Sequence, residues 1–192
     1  MSIQAPDFQD LQLPAAMCAL LCDALPRAAS LDAALSVIED VRQAMLGDGL
    51  LTVNKVSTLA DGANEFELQR LWSSNPQAYP VAGLKRKTLT SWSRQLLLRG
   101  EVYVGEGDEA LAGVFDDHAR ITALGLHKVV NVPLLVRGRC GATFNVLGCQ
   151  TQWLPHDIAL IRLLSVLATP WIVDSAKQRH VANPLLCVRN AS

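Results

Sequence analysis

The residues best suited to chemistry are two asparagines. Asn131 and Asn145 each interrupt an apolar run, KVVNVPLLV and CGATFNVLG. Asparagine is disfavoured in strands, and a buried amide needs hydrogen-bond partners. Strand alternation sets Val129, Asn131, Pro133 and Leu135 on one face, and groups Thr143 with Asn145 on one face of the next strand. If the two strands pair across Arg137-Gly138-Arg139, the amides share a face and can donate and accept toward a ligand inside an apolar pocket. Bonds to backbone or buried water would satisfy them equally well. Tyr79 and Trp92 are large amphipathic side chains in the segment expected to cover that face, where such residues wall pockets or fill cores. Lys85-Arg86-Lys87, with Arg94, could meet an anionic ligand or stay solvated.

Acid–base and nucleotide chemistry have thinner support. His118 follows Asp116 and Asp117, a pairing that suits a general base. No Ser or Cys nucleophile is tied to it by a motif. Helical spacing with Leu111, Val114, Phe115 and Ile121 sets it at the border of an apolar face, where a partly buried, hydrogen-bonded histidine is the plainer account. His127, His156 and His180 are isolated. The stretch VGEGDEA, Val104 to Ala110, matches a dinucleotide fingerprint after a strand and before a helix. Glu106, Asp108 and Glu109 would repel a pyrophosphate, and no parallel βαβ pattern surrounds it. Acidic residues at a helix start suit the macrodipole instead.

Composition bounds the rest. Half of the 192 residues are hydrophobic and 18% are charged, enough for one large core. The formal net charge of −1 and the lack of a basic block argue against nucleic acid. The first ten residues carry no basic n-region, and the apolar run Ile158 to Val173 contains Arg162 and Pro170, so neither a signal peptide nor a membrane span is expected. Five cysteines, an odd number without CxxC spacing, predict free thiols in a reducing cytoplasm. Cys18 and Cys22 share a helix face, but two ligands make no zinc site, and they are expected to be small core residues. Neither a metal nor a cofactor is called for.

The elements that would position these groups follow from period and punctuation. Helices are expected over Leu13 to Arg27 and from Ser30, an N-cap, to Gly47. Strands follow at Leu50 to Val56 and Phe66 to Trp72, joined near Asp61-Gly62, with Phe66, Leu68, Arg70 and Trp72 on one face. Ser73 to Thr88 is irregular, a long loop of the functional sort. A helix at Thr90 to Leu98, a short strand at Val102 to Val104 and a helix at Asp108 to Leu124 complete a crossover, closed by a Schellman stop at Gly125. Strands at Lys128 to Val136 and Cys140 to Leu147 and a helix at Pro155 to Lys177 finish the chain. The order predicts an α+β fold with one antiparallel sheet of five or six strands, terminal helices on one face and the crossover on the other.

ITALGLHKVVNVPLLVRGRCGATFNVLG, from Ile121, resembles the end of a GAF domain, in Leu124-Gly125, Val132-Pro133-Leu134, Arg137-Gly138 and Gly141. SNPQAYPVAGLKRKTLTSWS resembles a loop of stand-alone bacterial GAF proteins, in Asn75-Pro76, Tyr79-Pro80, Gly83, Lys85 and Trp92-Ser93. The resemblance spans about residues 30 to 175 and implies a GAF/PAS-like sheet, a small-molecule pocket and a homodimer through terminal helices. It adds Lys85 and Ser93 to the pocket candidates. Reactive cysteines of the fold's catalytic branch precede the VPL strand, where this chain has none between Cys22 and Cys140; tetrapyrrole attachment also lacks its cysteine.

The expectation is therefore a cytoplasmic, stand-alone domain that holds a small metabolite as a ligand-binding or regulatory protein, with turnover left open. Tyr79, Lys85, Trp92, Ser93, Asn131, Thr143 and Asn145 would line its pocket. Residues 1–29 form a helical segment against the domain or a dimer partner, 30–178 the GAF-like domain and 179–192 a tail. The alternative is an enzyme on the same fold, using His118 or a pocket cysteine. A homodimer is expected because the terminal helices are apolar nearly all round, and neither nucleic acid nor membrane is expected as partner.

Overall fold

The computed structural model describes residues 11–58 and 64–181, with side chains through Asp174. The Asp61-Gly62 turn, the His180 side chain and Cys187 lie outside the described residues. Helix α1, Ala15–Ala19, runs on through a π turn, Leu20–Ala24, and a 3-10 turn, Leu25–Arg27. Helix α2, Leu31–Leu46, starts because the Ser30 hydroxyl accepts from the Ala33 amide, and stops at Gly47, whose φ of 76° suits glycine. Leu35, Ile38 and Val41 are its buried stripe.

Six strands form one antiparallel sheet in the order β3-β2-β1-β6-β5-β4. They are β1 Gly49–Thr58, β2 Glu65–Ser73, β3 Leu84–Thr88, β4 Tyr103–Glu106, β5 Lys128–Val136 and β6 Arg139–Gly148. Helix α6, Pro155–Val181, closes the chain and packs with α2 on one face of the sheet. There Leu51, Val53, Val130, Val132, Phe144 and Val146 meet Leu35, Ile38, Leu160, Ile161 and Leu164 in the main core. Each such side chain contributes about 1.5–3 kcal/mol by leaving water. By length and composition α6 could cross a membrane; here Leu160, Ile161, Leu164, Ala168 and Ile172 are buried in this core while Val166 is exposed.

The opposite face is covered by helix α3, Ser91–Ser93, with its π turn Arg94–Leu98, by α4, Asp108–Ala112, and by α5, His118–Ala123. Helix α5 ends in the expected Schellman stop: Leu126 N–H reaches the Ile121 carbonyl and Gly125 N–H the Thr122 carbonyl, with Gly125 at φ 69°.

Four expectations change. The stretch read as loop through Thr88 contains β3, whose Leu84 to Thr88 pair with Gln69 to Glu65; its run of cations hides the apolar alternation that marks a strand. The single helix expected from Asp108 to Leu124 is two, broken at 113–117, so the apolar spacing belongs to two short turns. Trp72 leaves the face it was expected to share with Phe66, Leu68 and Arg70. Val53 pairs with Trp72 but Asn54 pairs with Arg70, so Leu71 is a bulge that switches the alternation. The Trp72 indole then donates to Asp32 Oδ1 at 2.8 Å, beside the main core. Cys18 on α1 and Cys22 in the π turn after it are exposed rather than buried. The four described cysteines are free thiols.

Candidate ligand pocket

Between sheet and crossover lies a cavity of about 110 Å³. Its floor is the face of β1, β2, β5 and β6 opposite the main core. Alternation puts Leu50, Thr52 and Asn54 of β1, Val129 and Asn131 of β5, and Thr143, Asn145 and Leu147 of β6 on it. Thr52, Asn145 and Asn131 stand in one row across three strands, and Arg70, Asn54 and Thr143 in the next. Trp92 and Leu96 of the α3 segment, Phe115, Ile121 and Tyr79 form the roof and walls. Trp92 meets Phe115 edge to face, with ring centroids 5.6 Å apart.

The floor's polar groups form one chain of hydrogen bonds. Trp92 Nε1 donates to Asn131 Oδ1 at 3.0 Å. Asn131 Nδ2 donates to Asn145 Oδ1 at 2.9 Å. Asn145 Nδ2 then reaches Thr143 Oγ1 at 3.1 Å and the Thr52 carbonyl at 3.2 Å. An indole N–H can only donate and a carbonyl can only accept, so the two ends fix the orientation of both amides. Asn131 and Asn145 are 2% and 6% exposed, so each lost partner would cost about 1–3 kcal/mol.

The far wall is charged. Arg70 lies over the Tyr79 ring, 4.9 Å from its centroid, and donates from Nη1 to the Pro80 carbonyl. Burial lowers the Arg70 pKa, an effect that nearby Asp117 opposes. Burial, then Asp117, pushes the Tyr79 hydroxyl up to about 12. Neither Arg70 Nε nor the Tyr79 hydroxyl reaches a partner in good hydrogen-bond geometry, although both atoms are buried. Lys85 and Lys87, alternate residues of β3, also border the cavity. Lys87 pairs with Asp116 at 2.9 Å, a bond that lowers the carboxyl's pKa.

Six of the residues expected at the pocket line this cavity: Tyr79, Lys85, Trp92, Asn131, Thr143 and Asn145. Ser93 does not. Its hydroxyl completes a capping box with Thr90, accepting from the Thr90 amide at 2.7 Å, and the residue is fully buried there. His118 does not line it either, being exposed at the start of α5. Arg86 and Arg94 turn to Glu67 and Asn64. Cys140 packs beside Phe66 and Leu96 without lining the cavity, and burial pushes its thiol up to about 11. Sequence reasoning missed Arg70 and Asp117 as walls. Arg70 carried a signal, a cation in step with Phe66 and Leu68; Asp117 carried none.

A second polar group stands apart. Lys128 is buried on the Trp153 ring, 3.8 Å from its centroid, with Nζ donating to Gln150 Oε1 and the Gln152 carbonyl. Burial lowers its pKa. These bonds pin the 149–153 turn to β5 and serve the fold. Among the described residues with side chains, no group of three or more His, Cys, Asp or Glu could hold a metal ion.

No family model and no curated protein sequence matches the chain. Solved structures do. The GAF domain of a phosphoenolpyruvate-protein phosphotransferase from Coxiella burnetii aligns at a TM-score of 0.60 and 13% identity, covering 85% of this chain and 96% of that one. The corresponding domain from Acinetobacter aligns at 0.57 and 14% identity, over 88% and 99% of the two chains. The GAF domain of the cyanobacteriochrome TePixJ aligns at 0.57 and 14% identity, over 81% and 97%. With its six-stranded antiparallel sheet, its two terminal helices on one face and its crossover on the other, this chain has the fold of a GAF domain.

Proposed function

We propose that the domain binds a small organic molecule in the cavity between sheet and crossover and acts as a ligand-binding, regulatory module. One observation carries the reading. Two nearly buried asparagines, in strands where apolar residues would pack as well, stand on the cavity's floor with their amides held by Trp92 and Thr143. A floor built only for stability would cost less with aliphatic side chains. Cyanobacteriochrome and phosphotransferase GAF domains share the fold, which is consistent with such a role without naming the ligand. Turnover has less support, since His118 is exposed outside the cavity and the Cys140 thiol stays protonated at neutral pH. Native mass spectrometry of the purified protein tests the reading: a bound small molecule is expected, and it should be lost on Asn131→Leu. Retention of that molecule by Asn131→Leu would overturn the reading.

We also propose that two copies pair through the terminal helices in a cytoplasmic homodimer. Along α6, Leu163, Leu167 and Trp171 are only half-buried and Val166 is 65% exposed. Leu20 of the adjoining N-terminal segment is half-buried as well. An apolar stripe of this kind is ordinarily covered. Light scattering should give a mass of about twice 20.8 kDa, reduced toward one chain by Val166→Asp; a single-chain mass for the native protein rejects the dimer.

A further inference from the structure

We infer that the cavity takes a small organic monoanion: a carboxylic acid with an apolar body, its carboxylate against Arg70 and Lys85 and a second oxygen toward the amide floor. This rests on the pocket reading above and narrows it to one chemical class. Two observations point to it independently.

The first is charge. Three cations border the cavity, Arg70, Lys85 and Lys87, against one lining carboxylate, Asp117. Lys87 is occupied by Asp116 from outside. Arg70 has Asp117 nearby. Lys85 makes no ion pair among the described residues, so one positive charge is left over at the mouth. Lys85 is exposed, and water screens it; Arg70 is the stronger attractor, being half-buried with its Nε–H enclosed and unpartnered. A carboxylate set against the Arg70 guanidinium, which lines the cavity, gains a charge-assisted interaction. The Tyr79 hydroxyl on the same wall faces the Asp117 carboxylate, which helps keep it protonated.

The second is hydrogen-bond polarity. Asn131 Oδ1 and Asn145 Oδ1 already accept, from Trp92 and Asn131. Thr143 Oγ1 accepts from Asn145. The floor therefore still offers hydrogens, the second N–H of Asn131 and the hydroxyl proton of Thr143, neither with an acceptor among the described residues, while Asn54 beside them carries both a donor and an acceptor. Free donors on the floor facing a cationic wall suit a ligand that accepts at both ends. The strands set the spacing. Arg70 on β2 and Thr143 on β6 stand in one row with Asn54 of β1 between them, two strand spacings or about 10 Å along the sheet. Trp92, Phe115 and Leu147 supply the apolar contact for the body of the molecule.

The test uses three probes of nearly one shape and different charge, each with a second oxygen at the far end: 4-hydroxyphenylacetate, 4-hydroxyphenylacetamide and tyramine. The reporter is the Trp92 indole N–H in nitrogen-15 NMR spectra, because that proton is bonded to the floor. The carboxylate should move it at millimolar concentration, at least tenfold more tightly than the amide, and the amine should not move it. Arg70→Gln and Lys85→Gln should each weaken the carboxylate severalfold and the amide clearly less. Lys85 is exposed, so its replacement keeps the test valid if Arg70→Gln fails to fold. Equal or tighter binding of the amide or the amine overturns the anion assignment while leaving the pocket reading intact. If none of the three moves the indole signal, both fall.

Discussion

The two faces of the sheet are made from the same strands and could hardly differ more. Toward the terminal helices, β5 and β6 present Val130, Val132, Leu134, Ala142, Phe144 and Val146, and β1 presents Leu51 and Val53. Toward the crossover the intervening residues are Asn131, Thr143, Asn145, Thr52 and Asn54, with Val129, Leu50 and Leu147 beside them. The backbone is shared, so the difference lies entirely in side-chain choice at alternate positions. The helix face excludes water and supplies folding energy. The cavity face keeps polar groups and satisfies them through one another. Under the proposed function, stability and recognition fall on opposite sides of one sheet, separated by the thickness of a strand.

Substitutions can break that division. The largest expected effect is on the helix face: Phe144→Ala should lower stability by about 3–5 kcal/mol in urea or guanidinium unfolding. A loss below about 1 kcal/mol would mean that this face is not the main source of stability. On the cavity face, Asn131→Leu strands the Trp92 N–H and the Asn145 carbonyl oxygen, at about 1–3 kcal/mol, and should abolish ligand binding. Trp92→Phe alone should cost a similar amount. The double variant should cost clearly less than the sum, since both changes break one hydrogen bond; strict additivity would show that the chain from indole to threonine is not a unit.

Alkaline pH sharpens the contrast through Tyr79 and Cys140. Tyr79 is raised from 10.0 to about 12 and Cys140 from 9.0 to about 11. Both groups are neutral in folded and unfolded chains below about pH 8, so stability there is independent of them. Above that the unfolded chain releases protons that the folded chain retains, and stability should fall as pH rises through about 9 to 12. A Tyr79→Phe, Cys140→Ala variant should show a flatter fall over that window. The smallest effect is expected at His118, outside the cavity and exposed: His118→Gln should leave stability within about 0.5 kcal/mol and ligand affinity unchanged. Loss of binding in that variant would place a functional group where the geometry has none.

Much of this division is legible in the sequence. KVVNVPLLV and CGATFNVLG each set an asparagine directly between apolar neighbours in mid-strand, and that anomaly leads to Asn131 and Asn145. Their pairing follows from the short turn between them, because an antiparallel hairpin sets facing residues by register. The rest depends on features that leave no local trace. The Leu71 bulge sends Trp72 to the other face with no glycine or proline to mark it. The π turns at Leu20–Ala24 and Arg94–Leu98 read as ordinary helix in the sequence. Strand β3 has almost no apolar face of its own and exists because β2 offers it an edge. Ser93 illustrates the opposite error: a polar residue beside Trp92 looks like a wall residue until the helix end claims its hydroxyl.

The chain of donors from Trp92 through Asn131 and Asn145 to Thr143 runs in a single sense. Its bond dipoles therefore add instead of cancelling, and neighbouring links polarise one another. Neither amide can flip on its own, because a flip would set Asn131 nitrogen against the indole N–H or Asn145 oxygen against the Thr52 carbonyl. The side-chain rotors are ordered when the chain folds, so the proposed ligand would meet a floor that is already set. For a cavity that binds as proposed, selectivity on that side is rigid: the floor rejects what does not match it, and adaptation to ligand shape falls to the crossover above.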